Sequence, residues 1–112
     1  MKTINNHFNY VLSFSDGTVK VGVTSRPKER LKEICRSVRH RSNFVEGMFV
    51  ATSNKASAFK TEANICRLLS YGASNASREW FDDERTDFGW ITQATGMFWH
   101  LNNTGNYSPI KV

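Results

Sequence analysis

The stretch Tyr10-Val-Leu-Ser-Phe-Ser-Asp-Gly-Thr-Val-Lys-Val-Gly22-Val-Thr-Ser-Arg-Pro-Lys-Glu-Arg30-Leu31 decides the fold. Phe8, Tyr10, Leu12 and Phe14 alternate with Asn9, Val11 and Ser13, the period of a strand with one apolar face. Asp16-Gly17 supplies a hairpin turn, because glycine takes a positive φ at no steric cost. Thr18 to Val23 is β-branched and reads as the partner strand. Thr24 or Ser25 is placed to cap a helix, and Pro27 suits its first turn. Leu31, Ile34, Cys35 and Val38 recur at helical spacing and carry that helix to about Ser37.

Outward from this unit, Arg36-Ser-Val-Arg-His-Arg41 is a basic exit and Phe44 to Ala51 reads as a third strand. Ser53 or Asn54 caps a second helix, roughly Lys55 to Ser70, with a core stripe of Ala56, Phe59, Ala63, Cys66 and Leu69. Tyr71 to Arg78 is a loop, and Glu79-Trp80-Phe81 a short apolar return. Asp82-Asp-Glu84 suits the positive end of a third helix. In that helix Phe88, Ile91, Thr95 and Phe98 share a face. The tail from Asn102 reads as irregular. The order is β-β-α-β-α-(β)-α, an α/β (α+β) fold. It predicts a small three-stranded mixed or antiparallel sheet whose apolar surface helices must cover. One domain spans residues 1–112, with a core at 8–81 and a C-terminal helix and tail at 82–112.

Hydrophobic residues make up 39% of the 112, enough for a globular core and too many for a disordered chain. No apolar run reaches membrane-spanning length and no secretory signal opens the chain, so the expected compartment is the cytoplasm. Cys35 and Cys66 form no CxxC pair, and His7, His40 and His100 add no zinc-finger spacing; buried free thiols are expected. The net charge of +5 is uneven. Residues 1–70 hold 12 Lys/Arg against 5 Asp/Glu, and residues 71–112 hold 3 against 5. A basic front half suits a polyanion, nucleic acid above all; it equally serves solubility.

Several residues can carry chemistry. Arg30 on the first helix, Lys20 on the adjacent strand, and Arg26 and Lys28 in the first turn form a candidate phosphate clamp beside free helix N–H groups. Glu62 shares a helix face with Ala58, Ile65 and Leu69, so it is either a rim residue or a partly buried ligand. Tyr10 is either a core phenol with a satisfied hydroxyl or one that binds phosphate or water. Arg36, Arg39, His40 and Arg41 suit phosphate contacts that position a duplex without reading sequence; they equally suit a solvated loop. No Gly-rich nucleotide loop, Ser/His/Asp set or paired-carboxylate motif is visible.

With these residues in view, the layout resembles the GIY-YIG nuclease superfamily, in particular its small phage-associated branch, the T5orf172/MUG113-like domains, over about residues 8–81. Tyr10 matches the tyrosine of the first strand motif, and Lys20-Val-Gly22 the glycine-ending second motif. Arg30 matches the helix arginine, Glu62 the metal-binding glutamate and Glu79-Trp80-Phe81 the close of this branch; Asn75 stands near the asparagine that follows the glutamate in some members. The resemblance implies phosphodiester hydrolysis in DNA. One Mg²⁺ or Mn²⁺ would sit on Glu62, Arg30 would stabilise transition-state charge, Tyr10 would help activate water, and Lys20 would bind phosphate. The chain departs from the pattern at Lys20, which replaces the second tyrosine, at Ile34, which stands for a frequent His or Tyr, and at Asn9 or His7-Phe8, where a glycine is expected. Loss of a base costs about 10²–10⁴-fold in rate. A non-catalytic nucleic-acid-binding module therefore competes with the enzyme, and a phage-type protein-interaction factor is the third reading. A protein partner or homodimer is admitted; a membrane is not.

Overall fold

Phe8–Phe14 (β1) and Thr18–Thr24 (β2) form the expected hairpin, with Tyr10 opposite Gly22 and Leu12 opposite Lys20. The computed structural model describes residues 7–69, 80–82 (backbone only) and 88–112. Gly17 takes φ +82° in the turn, where an L side chain is strained. Asp16 braces the turn from inside. Its carboxylate accepts the Thr18 hydroxyl at 2.6 Å and the Thr18 N–H at 3.2 Å. It also pairs with Arg41 at 2.6 Å. The Thr18 bonds, foremost, hold the Asp16 carboxyl below the usual carboxylate range.

The first helix, Pro27–Val38 (α1), starts differently from expectation. Its N-cap is Arg26, which makes no side-chain capping bond, while Thr24 Oγ1 accepts the Arg26 N–H at 3.0 Å. Pro27 holds the residue before it in extended conformation, which carries the Thr24 and Ser25 hydroxyls past the capping position. Phe44–Ala51 (β3) lies antiparallel to the other side of β1. Lys55–Leu69 (α2) is capped by Asn54, whose Oδ1 accepts the Ser57 N–H at 2.8 Å.

The buried stripe of α2 is Ser57, Ala58, Thr61, Ile65 and Cys66, so the expected stripe is corrected. Ala56, Phe59 and Ala63 face solvent. Thr61 reaches the interior because its hydroxyl bonds back to the Ser57 carbonyl at 2.8 Å. Asn9 Nδ2 donates to the Ala58 carbonyl at 2.9 Å and pins α2 to β1 in this rotation.

Trp80–Asp82 (β4) pairs with Thr18–Lys20 on β2. Phe88–Asn102 (α3) buries Ile91 and Thr95 as expected, with Phe88 and Phe98 packed beside them. The tail is not wholly irregular: Ile110–Lys111 (β5) pairs with Met48 and Phe49 on β3. Tyr107 lays its ring against Gly96 and stacks on Trp99, which holds the tail in place.

Among the described residues the sheet thus has five strands, two of them short, in the order β4-β2-β1-β3-β5. Every pair is antiparallel, which settles the mixed-or-antiparallel alternative and exceeds the three strands expected. Each face buries its own core. Tyr10, Leu12, Phe14 and Phe49 meet Ile34 and Val38 of α1. Val11, Val19, Val21 and Met48 meet α2 and α3 through Ile65, Cys66 and Ile91. Cys35 is half-buried and Cys66 buried, the two form no disulfide, and burial pushes the Cys35 thiol up. Among the described residues no helix is long and apolar enough to cross a membrane. The sequence readings on residues 1–6, on the 71–78 loop with Asn75, on Glu79, and on Asp83 and Glu84 lie outside the described residues.

Candidate nucleic-acid site at the β2 edge

Cross-strand partners share a face, so Tyr10, Gly22, Leu12 and Lys20 all project toward α1. The Tyr10 ring does not stand upright on β1. It lies across β2, over Gly22, so that a Cβ added there would overlap the phenol oxygen and ring. Gly22 is therefore the seat of the phenol, a role hidden in sequence because it depends on the cross-strand register. Phe49 holds the ring from the other side, with centroids 5.6 Å apart.

Arg30 meets the phenol here. Its Nε donates to the Tyr10 hydroxyl at 3.4 Å, and one terminal nitrogen donates to Glu33 at 3.5 Å. The arginine side chain is 38% exposed while Tyr10 is buried, so a fixed phenol carries a guanidinium that opens to solvent. The bond to Tyr10, foremost, raises the guanidinium pKa further above its ordinary value. Arg30 is charged at every working pH.

Lys20 stands two residues from Gly22 on the same strand face and is only 5% exposed. Its strand position pairs with Leu12 of β1 on one side and Trp80 of β4 on the other.

Glu62 approaches from the opposite face. It is half-buried beside the sheet-facing row of Ala58, Ile65 and Leu69, as its spacing predicts. The flank of α2 bearing Thr61 and Asn64 faces α3, through Asn102 Nδ2 at 3.3 and 2.9 Å. Glu62 is on the other flank. Because α2 packs on β2 and β1 while Trp99 of α3 bonds to Ala51 of β3 at 2.9 Å, that other flank points to the β2 edge. Among the described residues, β4 covers this edge only from Thr18 to Lys20. Arg30 and Glu62 thus belong to helices that cover opposite faces of the sheet, α1 on one and α2 on the other.

The basic residues divide into separate groups. Lys28 lies on the flank of α1 away from Arg30. With Arg26 it rims an apolar groove of about 420 Å³ whose walls include Leu31, Phe49, Ile110 and Val112. The four-residue clamp read from sequence therefore does not close around one point. Arg36, Arg39 and His40 are exposed along and beyond the last turn of α1. Arg41 is exposed but committed to Asp16, where it ties the α1 exit to the β1–β2 turn.

For a metal, the described residues contain no group of three or more His, Cys, Asp or Glu side chains able to hold one. Magnesium needs no such cage: it keeps waters and takes one or two carboxylates plus substrate phosphate oxygens. The half-buried Glu62 carboxylate fits as that single protein ligand.

The molecule is a small antiparallel sheet covered on both faces, with an arginine seated on a strand tyrosine. The chain belongs to the T5orf172 domain family, whose profile matches residues 7–94. That family is associated with GIY-YIG-like nucleases. No curated protein and no solved structure matches the chain.

Proposed function

We propose that this protein is a GIY-YIG-like, divalent-metal-dependent endonuclease that hydrolyses phosphodiester bonds of DNA at the β2 edge. The observation that carries the reading is the Arg30 Nε to Tyr10 hydroxyl bond over Gly22. It presents a permanent, oriented cation at the surface without a mobile side chain having to find its place.

In this reading Arg30 holds a phosphate oxygen and opposes the charge that grows on phosphorus as the nucleophile adds. Tyr10, buried under it, positions the guanidinium. Lys20 contributes positive potential from β2. Glu62 holds Mg²⁺ or Mn²⁺, which when bound supplies a Lewis acid to the phosphate. Arg36, Arg39 and His40 grip the duplex backbone, and Arg26 and Lys28 extend the positive surface at the other end of α1. The cytoplasm, where DNA is at hand, is the compartment this activity needs.

One observation favours a second reading. The position of the second family tyrosine is a buried lysine, so the chain lacks a phenol there, and a non-catalytic DNA-binding module on the same scaffold follows. Plasmid incubated with Mg²⁺ separates the two. The enzyme nicks it, and Glu62→Ala lowers nicking by about 10²-fold or more while leaving salt-dependent binding in place. Binding without nicking by the unaltered protein selects the module. Equal nicking by protein and variant removes Glu62 from the account.

A further inference from the structure

The groove beside the first turn of α1 takes no part in the chemistry proposed for the β2 edge. Its volume of about 420 Å³ falls within the range of small-molecule sites. Phe49 and Ile110 are cross-strand partners and line it together. Phe8, Leu31 and Val112 extend the apolar lining. Ile110 is 59% exposed and Val112 47%, so the β5 side of the groove presents apolar surface to an open space.

The two ends of this lining differ. Among the described residues, every polar side chain on it comes from one short stretch at the start of α1: Ser25, Arg26, Lys28 and Glu29. The rest of the lining is apolar. Two cations and one anion leave the polar end with a net charge of +1. A hydrocarbon wall that ends in one net positive charge is complementary to an amphipathic monoanion.

We propose that the groove binds a free medium-chain aliphatic carboxylate, its tail along Phe49, Ile110 and Val112 and its head at Arg26 and Lys28. The lining separates this ligand from the alternatives. A nucleobase or a peptide backbone would bring donors and acceptors against walls with no polar side chain, and stripping those groups of water without a partner is costly. An alkyl chain has none to strip. A doubly charged phosphate exceeds the single net charge at the polar end, whereas one carboxylate matches it. An aliphatic amine would meet two cations. The site goes beyond the nuclease reading and stands whichever reading of the β2 edge holds.

Each methylene moved from water onto such a wall strengthens binding about fourfold. Titration of ¹⁵N-labelled protein at neutral pH with hexanoate, octanoate and decanoate, each below its micelle concentration, tests the proposal. Amide shifts of Lys28, Glu29, Phe49 and Ile110 saturate together, and affinity rises with chain length by about that factor per carbon. Decanoate saturates at or below about 1 mM. Octanol and octylamine bind more weakly than octanoate. Ile110→Asp loses the site, and Lys28→Glu weakens it by about fivefold or more. Both positions are exposed, so far-ultraviolet circular dichroism is unchanged. Shifts that appear equally at the exposed apolar residues Phe59, Met97 and Leu101 would mean indifferent adsorption and overturn the proposal. So would an affinity that ignores chain length, octylamine binding as tightly as octanoate, or saturation that survives Ile110→Asp.

Discussion

Arg30→Ala lowers Mg²⁺-dependent nicking of DNA by about 10²–10³-fold, the loss seen when one oriented donor to a developing oxyanion is removed. The loss falls on turnover. DNA affinity changes little, because Arg36 near the end of α1 and Arg39 just beyond it, both exposed, still meet the backbone. Folding also survives. The Arg30 side chain is partly exposed, and its removal costs the Tyr10 hydroxyl one long hydrogen bond, a loss of about 1 kcal/mol. Arg30→Lys does not restore the rate, since an ammonium cannot bond the phenol through one nitrogen and present others to phosphate in a fixed plane. Nicking kinetics on a supercoiled plasmid, with thermal melts of each variant, separate these effects. A variant that nicks at the parent rate would take Arg30 out of the site.

The second large effect comes from a residue that touches no substrate. Gly22→Ala places a methyl group where the Tyr10 phenol lies, 2.8 Å from Cε2 and in overlap with the hydroxyl. The ring has nowhere to retreat, with Phe49 behind it and the α1 core above. Overpacking of this kind costs about 1–3 kcal/mol, against the roughly 0.5–1 kcal/mol an alanine returns in a strand. For a chain of this size the melting temperature falls by roughly 5 °C or more. Activity falls with it, because the phenol that seats Arg30 is displaced. In a Tyr10→Leu background the same change has no ring to strike and costs under about 0.5 kcal/mol, so the two substitutions are strongly non-additive. Equal costs in both backgrounds would show that the ring does not rest on Gly22.

What could be read from the sequence follows from how local each signal is. Strand β1 and strand β3 were legible to the residue, because alternation and the Asp16-Gly17 turn are properties of neighbours. The meeting of Tyr10 and Arg30 was legible as well, since a hairpin running straight into a helix leaves few places for that helix to lie. The rotation of α2 was not. Phe59 is its largest apolar residue and drew the predicted stripe toward itself, whereas the helix is set by a polar bond from Asn9 and by Thr61, a threonine able to satisfy its own hydroxyl.

Three other outcomes depended on partners distant in sequence. Lys20 is buried by strands on both sides. Arg41 is claimed by Asp16, 25 residues earlier. The β5 strand exists because the edge of β3 offered its backbone to two residues of a tail with no strand pattern of its own. The separation of Lys28 from Arg30 was available in principle, since two residues apart on a helix face opposite ways.

In the proposed reaction Arg30, carried by one face of the sheet, and Glu62, carried by the other, serve a single phosphate at the β2 edge. Paramagnetic broadening by Mn²⁺ in the presence of a short DNA duplex, read by NMR on ¹⁵N-labelled protein, tests it most directly. The account predicts that the Arg30 Nε–H and Gly22 amide signals broaden first, ahead of those of Arg39 and His40, and that Glu62→Ala abolishes the effect. Broadening confined to the far end of α1, or indifferent to Glu62→Ala, would contradict it.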